Sequence, residues 1–161
     1  MIYITVGTQK FQFNRLFVEL DKIIEEGKID CSVFAQIGTS SYSPKNYKFD
    51  KFINHNQHQE LVKKAQIIIC HAGTSSIIEG LKANKKVIVV PRKKEFDEHV
   101  DNHQTEIAKV FQEKNYIEVV DNIEDLYNKI LIVEQKSYNK YNFDNKKLIT
   151  SIYNDAVRFL K

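Results

Sequence analysis

The chain has little of what would place it in a membrane or in an oxidising compartment. Only two of its 161 residues are cysteines, Cys31 and Cys70, and both lie in apolar runs. Buried free thiols are expected rather than a disulfide, which suits a reducing cytosol. No stretch approaches the roughly 20 apolar residues that a membrane-spanning helix needs. The first residues lack the charged start and long apolar run of a signal peptide, and they predict a strand instead.

Several short motifs of nucleotide and metal sites are also missing. The sequence contains no G-x-x-x-x-G-K-[ST] P-loop, no G-x-G-x-x-G dinucleotide fingerprint and no D-x-D. His99 and His103 lie four residues apart on a predicted helix, a spacing that can bind zinc. Because H-E-x-x-H is absent and no clear third ligand lies nearby, we expect no metal site.

The charge of the chain is nearly balanced, with 24 Lys and Arg against 21 Asp and Glu and a net charge of +3. Its basic residues form short, scattered clusters, namely Lys63-Lys64, Lys85-Lys86 and Arg92-Lys93-Lys94. Nucleic-acid-binding domains gather such residues on one face. We therefore expect solvated helix ends and loops and no nucleic-acid partner, although a basic surface beside an anionic membrane stays open.

The apolar pattern predicts alternating strands and helices in one domain, 1–161. The strands Ile67–Ile69 and Val87–Val90 are apolar on both faces, which indicates an α/β fold with a parallel, Rossmann-like sheet covered by helices on both sides. The predicted strands are Ile2–Val6, Cys31–Ile37, Lys51–Ile53, Gln66–Cys70, Val87–Val90 and Tyr116–Val120. The predicted helices are Asn14 (as cap) to Gly27, Gln57–Ala65, Ser75–Asn84, a segment ending near Gln112, Ile123–Val133 and Asn145–Leu160.

Ligands of parallel sheets bind in the loops at the carboxyl ends of the strands. The loops that follow four of the predicted strands should therefore converge at one edge. These loops are Gly7-Thr8-Gln9, Gly38-Thr39-Ser40, His71–Ser76 and Pro91–Gln104.

The turn H-A-G-T-S-S-I-I-E has the composition of an anion site. Gly73 permits tight backbone geometry and close approach by a ligand. The hydroxyls of Thr74, Ser75 and Ser76, with the first N–H groups of the following helix, can hold a diphosphate. Glu79, about one turn inside, can reach a ribose hydroxyl pair. The same Thr-Ser-Ser run also suits a plain helix cap, and the motif alone does not decide between the two.

Three segments in this order resemble a known family. H-A-G-T-S-S-I-I-E, V-I-V-V-P and E-H-V-D-N-H-Q-T-E-I-A are similar to the C-terminal domain of family 28 glycosyltransferases. The opening I-T-V-G-T-Q-K-F and the later Q-I-G-T-S-S-Y resemble the small catalytic subunit of the two-part GlcNAc transferase of eukaryotic N-glycan synthesis. They resemble even more its bacterial counterparts in capsule and exopolysaccharide synthesis. The resemblance runs from Ile2 to about Val120.

The resemblance implies the C-terminal half of a GT-B glycosyltransferase that moves a hexose from a UDP-sugar with inversion. A helix N-terminus can stabilise the leaving diphosphate, so no metal or other cofactor is expected. The candidate catalytic residues are His71 and His103. His71 fits equally a protonated group beside the diphosphate and a turn histidine. The donor-binding residues that the resemblance implies are Gly7, Thr8, Gly73, Thr74, Ser75, Ser76, Glu79, Asn102, His103 and Gln104.

The resemblance also implies a partner, because the two-domain relatives bind the acceptor on their other domain. That partner would be a membrane-attached subunit that binds a lipid-linked sugar and supplies the general base. The chain is then expected in the cytoplasm, recruited to the cytoplasmic face of the membrane. The Lys-, Asn- and Ile-rich composition favours bacterial polysaccharide over N-glycan synthesis, with galactose, glucuronate or GlcNAc as the sugar. The alternatives are a non-catalytic nucleotide-sugar-binding module and the GlcNAc transferase subunit of N-glycan precursor synthesis. The helix Asn145–Leu160 is predicted to dock the partner or to pack on its own sheet.

Overall fold

A computed structural model describes residues 1–142. Its strands are β1 Ile2–Thr5, β2 Val33–Gln36, β3 Lys48–Asp50, β4 Ile67–Cys70, β5 Lys86–Val89 and β6 Glu118–Val119. Its helices are α1 Asn14–Glu25, α2 His55–Lys64, α3 Thr74–Lys82, α4 His103–Glu113 and α5 Leu126–Gln135, with short 3-10 turns at Lys94–Phe96 and Ile123–Asp125. The strands form a parallel sheet in the order β3-β2-β1-β4-β5-β6.

Helices cover both faces of the sheet because the central strands are apolar on both faces. Every residue of β1 and β4 is buried. On one face Ile4 packs with Phe17 of α1 and Val133 of α5. On the other face the core includes Ile77 of α3 and Ala108 of α4. The predicted parallel, Rossmann-like α/β fold is thus confirmed.

The order of the strands fixes where a ligand can bind. From β1 the chain moves outward to β2 and β3, whereas from β4 it moves the opposite way to β5 and β6. A crevice opens at the carboxyl ends of two strands where the direction reverses in this manner, and it is the usual ligand site of open α/β sheets. Gly7 follows β1 and His71 follows β4, so these two residues line the crevice.

Two sequence predictions about the β2–β3 side of the sheet were wrong. The edge strand is Lys48–Asp50 rather than Lys51–Ile53, because pairing with β2 places Asp50 opposite Gln36 and ends there. Cys31 is exposed because it lies in the turn before β2, although it was expected to be buried. Cys70 is buried as predicted, and both thiols are free.

Several helix starts also differ from prediction, and two of them change the predicted role of a side chain. Phe13 occupies the N-cap position of α1, while Asn14 is its first residue and accepts hydrogen bonds from the backbone of Ser41 and Tyr42. Because α4 begins at His103, His99 lies before the helix and the two histidines do not share a helical face.

The structure also bears on the predicted end of α1 and on membrane-spanning helices. Gly27 ends α1 in the left-handed conformation, with φ +69°, as its sequence position predicted. Within residues 1–142 no helix has both the length and the apolarity to cross a membrane. The helix predicted over Asn145–Leu160 lies outside the described residues.

A buried carboxylate joins α5 and the segment after it to the last strand. The Glu118 side chain is 4% exposed. It accepts hydrogen bonds from Lys136 Nζ at 2.6 Å, Lys129 Nζ at 3.0 Å and Tyr138 Oη at 3.0 Å. Burial by itself raises the pKa of Glu118, but these three donors outweigh it and hold that pKa below its ordinary value.

Replacing Glu118 by Gln should therefore lower the free energy of unfolding by about 1–2 kcal/mol at pH 7. A lowered native pKa stabilises the fold above the pKa of the unfolded carboxyl, near 4.3, and this gain is lost as the pH falls. Urea denaturation should thus show the deficit at pH 7 and a smaller one below about pH 4. Glu124→Gln, at an exposed position, is the control; an equal deficit at both pH values would contradict the prediction.

Candidate functional site

The His71 ring lies between two glycines of the crevice. A Cβ atom built on Gly7 would approach His71 Cε1 to 2.9 Å, and one built on Gly73 would approach Nε2 to 2.3 Å. Gly7 also has φ +72°, a conformation that favours glycine. The loops after β1 and β4 therefore meet at the Nε2 edge of the imidazole, as the convergence of strand ends predicted.

The surroundings of His71 favour its neutral imidazole. Burial lowers the pKa of His71 to about 4; the positive charge of Arg92 and the nearby His99 act in the same direction, and the Thr5 backbone opposes them. Its buried Nδ1 has no hydrogen-bond partner of good geometry within residues 1–142. A protonated His71, one of its two sequence interpretations, would need a nearby negative charge such as a diphosphate to raise this pKa, and it stays a prediction.

The N-terminus of α3 faces the same opening. Gly73 is its N-cap, and no side chain caps the helix. Thr74 and Ser75 are exposed and Ser76 is partly exposed, so the three hydroxyls are not used as caps. The cap interpretation of this run is therefore not supported, and the first N–H groups of α3 remain donors without an intrahelical acceptor.

Glu79 lies one turn further along α3, beside a groove. The groove between α2 and α3 has a volume of about 600 Å³ and includes Thr74, Ser75 and Glu79 in its lining. The Glu79 side chain is 38% exposed, and its Oε2 lies 2.8 Å from Nε2 of His58 on α2. The α3 N-terminus and this carboxylate thus line one groove, and their binding of a nucleoside diphosphate stays a prediction.

The loop after β5 presents the predicted sugar-facing residues in three different settings. Gln104 is buried, and its side-chain carbonyl accepts the backbone N–H of Arg92 at 3.1 Å. Asn102 is exposed, and its carbonyl oxygen accepts the N–H of Lys94 at 3.0 Å. His103 is exposed, and its Nδ1 lies 3.1 Å from Glu106 Oε2. Only Gln104 is fixed within the wall of the crevice.

Arg92 anchors these loops from beneath. Its side chain is 1% exposed. Nη1 donates to the carbonyls of Phe11 at 2.8 Å and Glu98 at 3.3 Å, and Nη2 donates to Val6 at 2.9 Å. Burial lowers the pKa of Arg92 to about 10 while Glu98 raises it, so the group stays charged at neutral pH. The expectation that the Arg92-Lys93-Lys94 cluster lies in a solvated loop is therefore wrong for Arg92, which is buried together with Glu98.

Some of the residues that shape the site were not among its predicted residues. Gln36 accepts from Thr5 Oγ1 at 2.8 Å and donates to the Gly7 carbonyl at 2.8 Å, which joins the ends of β1 and β2. Thr8, predicted to bind the donor, is exposed. Among residues 1–142, no group of three or more His, Cys, Asp or Glu side chains is placed to hold a metal ion.

Comparison with known proteins supports the family. The sequence profile of the "Glycosyltransferase family 28 C-terminal domain" matches residues 1–157. The chain belongs to this family. Over 106 residues it is 32% identical to the UDP-N-acetylglucosamine transferase subunit ALG13 of Kluyveromyces lactis, which covers 65% of this chain and 52% of that protein. The chain thus spans about half the length of that relative, and smaller shares of four other curated relatives with the same name.

Solved structures of two other proteins share the fold of this chain. The glycotransferase of kitacinnamycin superimposes with a TM-score of 0.65 at 14% identity, over 84% of this chain and 35% of the other. Acinetobacter baumannii MurG gives a TM-score of 0.57 at 19% identity, over 82% and 42% of the two chains. The predicted fold, that of the C-terminal half of a GT-B glycosyltransferase, is therefore confirmed.

Gly73→Ala should destabilise the chain through the His71 ring rather than through the backbone. Gly73 has φ −69° and ψ 119°, which alanine adopts readily. The added methyl group would force the buried ring aside, at a cost of about 1–3 kcal/mol. In a His71→Ala background, Gly73→Ala should leave the free energy of unfolding almost unchanged. Urea denaturation of the wild type, the two single variants and the double variant would show this.

The matched control is Gly27→Ala. Gly27 has φ +69° and no heavy atom within 4 Å of a built Cβ, so its cost is backbone strain alone. That cost should be the same with or without His71. If Gly73→Ala were additive with His71→Ala, the ring would not be the obstacle.

Proposed function

We propose that this chain is the donor-binding subunit of an inverting glycosyltransferase that uses UDP-GlcNAc and acts with a separate, membrane-attached acceptor subunit. The observation that carries the proposal is the groove beside α3, in a family 28 domain, whose lining includes Thr74 and Ser75 at the helix N-terminus together with Glu79. GlcNAc is proposed because the curated relatives are named as UDP-N-acetylglucosamine transferase subunits. They favour this alternative over the capsule and exopolysaccharide setting, which no comparison supports.

In this proposal the leaving diphosphate binds at the start of α3. The unpaired N–H groups and the positive end of the helix dipole stabilise the charge that develops as the sugar–phosphate bond breaks. The hydroxyls of Thr74, Ser75 and Ser76 add donors beside them. His71 presents Nε2 at the same place, and a neutral imidazole can donate one hydrogen bond there. These groups supply the stabilisation that a metal ion gives in other glycosyltransferases, so we propose that no metal is required.

The sugar would then lie against the loop after β5. The carbonyl of the Gln104 amide is held by Arg92, which orients its NH₂ group as a donor toward a sugar hydroxyl. The side-chain carbonyl of Asn102 accepts the backbone N–H of Lys94, which leaves the NH₂ group of Asn102 as a donor in the same way. Both amides are thus positioned through the backbone of one loop. Discrimination between GlcNAc and other hexoses would depend on that loop.

The general base is proposed to come from the partner. His103 is 65% exposed at its side chain and is engaged with Glu106. His71 lies beside the proposed leaving group rather than the acceptor. Neither is well placed to remove a proton from an incoming hydroxyl. An acceptor-binding subunit that carries this base and holds a lipid-linked sugar at the membrane would complete the site.

Binding of UDP to the chain alone tests the donor-binding role. UDP at about 100 times its dissociation constant should raise the free energy of unfolding by about 2.7 kcal/mol. Glu79→Gln should weaken UDP binding about tenfold, because a charge-assisted hydrogen bond to the ribose is lost. Urea denaturation with and without UDP measures the first effect, and isothermal titration calorimetry measures the second. Glu113→Gln on the exposed end of α4 is the control. A chain that binds no UDP would contradict the proposal.

Sugar transfer tests the catalytic role. The chain co-expressed with the product of the neighbouring gene should transfer GlcNAc from UDP-GlcNAc to a lipid-linked acceptor, in preference to galactose or glucuronate from their UDP-sugars. Transfer should persist in EDTA, and the chain alone should be inactive. UDP binding without transfer in the complex would support the non-catalytic module instead.

A further inference from the structure

A short relay of hydrogen bonds connects the core of the sheet to Glu79. Tyr3 of β1 places its Oη 2.7 Å from Nδ1 of His58 on α2, and Nε2 of the same ring lies 2.8 Å from Oε2 of Glu79 on α3. The Tyr3 and His58 rings meet edge to face, with centroids 5.6 Å apart. Three elements of the fold thus contribute one residue each to a single relay.

The direction of the donors follows from its two ends. An ionised Glu79 can only accept, so Nε2 of His58 carries the proton that it donates. In the neutral ring Nδ1 is then an acceptor, and the Tyr3 hydroxyl fills it. Tyr3 is fully buried, and burial raises its pKa far above the ordinary value, so the hydroxyl keeps its proton. The relay therefore runs from Tyr3 through His58 to one oxygen of Glu79.

Fixing one carboxylate oxygen matters because Glu79 is otherwise a long side chain at a partly exposed position. Freezing such a side chain on ligand binding costs conformational entropy. In this structure the hydrogen bond to His58 fixes the carboxylate before any ligand arrives. Oε2 is occupied by His58, and Oε1 remains to accept hydrogen bonds from a ligand at the groove.

We infer that His58, held by Tyr3, is a positioning residue that orients Glu79 toward the ribose hydroxyls of the nucleotide. The inference rests on the proposed donor-binding function. It gives a role to a histidine that was not among the predicted site residues.

A purely structural role is the competing explanation, because the same bond also joins α2 to α3. The two roles differ in their dependence on the ligand. A clamp between helices would change stability and the affinity for every nucleotide alike. A positioning residue would change only the part of the affinity that comes from the ribose hydroxyls.

The test compares UDP with 2′,3′-dideoxy-UDP, which lacks those hydroxyls, by calorimetry on the full chain. His58→Ala should reduce the preference for UDP over the dideoxy compound about tenfold, and binding of the dideoxy compound should stay the same. His58→Gln, whose amide NH₂ can reach the same carboxylate, should restore most of the preference. Tyr3→Phe, which keeps the ring in the core, should reduce it by a smaller factor. In a Glu79→Gln background, His58→Ala should have no further effect on the preference.

The outcomes separate this inference from the function on which it rests. If wild type binds neither nucleotide, the proposed function fails, and the inference fails with it. If Glu79→Gln reduces the preference but His58→Ala and Tyr3→Phe leave it unchanged, the inference alone is overturned. If the His58 variant weakens both nucleotides equally, or Gln does not rescue, the bond is a structural clamp. Should His58→Ala not fold, His58→Gln and Tyr3→Phe decide the question by the same ratio.

Discussion

The geometry of the crevice depends on one buried charge. The Arg92 guanidinium lies under the loops at the carboxyl edge and donates to the carbonyls of Val6, Phe11 and Glu98. It also stacks 5.1 Å from the centre of the Phe13 ring. A buried cation is tolerated when most of its donors have acceptors and an opposite charge is near. Nη1 and Nη2 have such acceptors, whereas the buried Nε has none within residues 1–142. The Glu98 carboxylate, itself fully buried and paired with Arg15 at 2.8 Å, supplies the opposite charge. Together with the hydrogen bond from Gln12 to the Phe96 carbonyl, this network holds the loop after β5 against the loop after β1.

The sheet could be predicted from the sequence because its signal is strong and local. Runs such as Ile67–Cys70 leave no polar face to solvent, and burial on both sides is the arrangement that accommodates them. The edge strand was misplaced because β3 is three residues long and partly exposed, so its position is set by pairing with β2 rather than by its own pattern. The start of α4 was missed because the backbone N–H of His103, its first residue, donates to the Asp101 carboxylate. Such a contact leaves no periodic pattern in the sequence.

The candidate site could be predicted only where its residues lie together in one short sequence motif. The residue types of Gly73 and the hydroxyl side chains after it predict a turn, and in the structure that turn lies beside Gly7 as expected. The Tyr3–His58–Glu79 relay could not be predicted, because its members are separated by 55 and 21 residues in sequence. They meet only where β1, α2 and α3 pack together in the fold. The charge state of His71 was equally hidden, since it depends on burial and on Arg92, which lies twenty-one positions away in sequence.

The contacts of Arg92 have a consequence for how freely this surface can change. The guanidinium recognises main-chain carbonyl oxygens, which every amino acid provides. Substitution of the loop side chains therefore leaves these three hydrogen bonds in place, provided that the backbone path is kept. The scaffold and the lining of the crevice can consequently diverge at different rates. Such a separation lets a fixed frame accept new ligand specificities through changes in exposed loop residues alone.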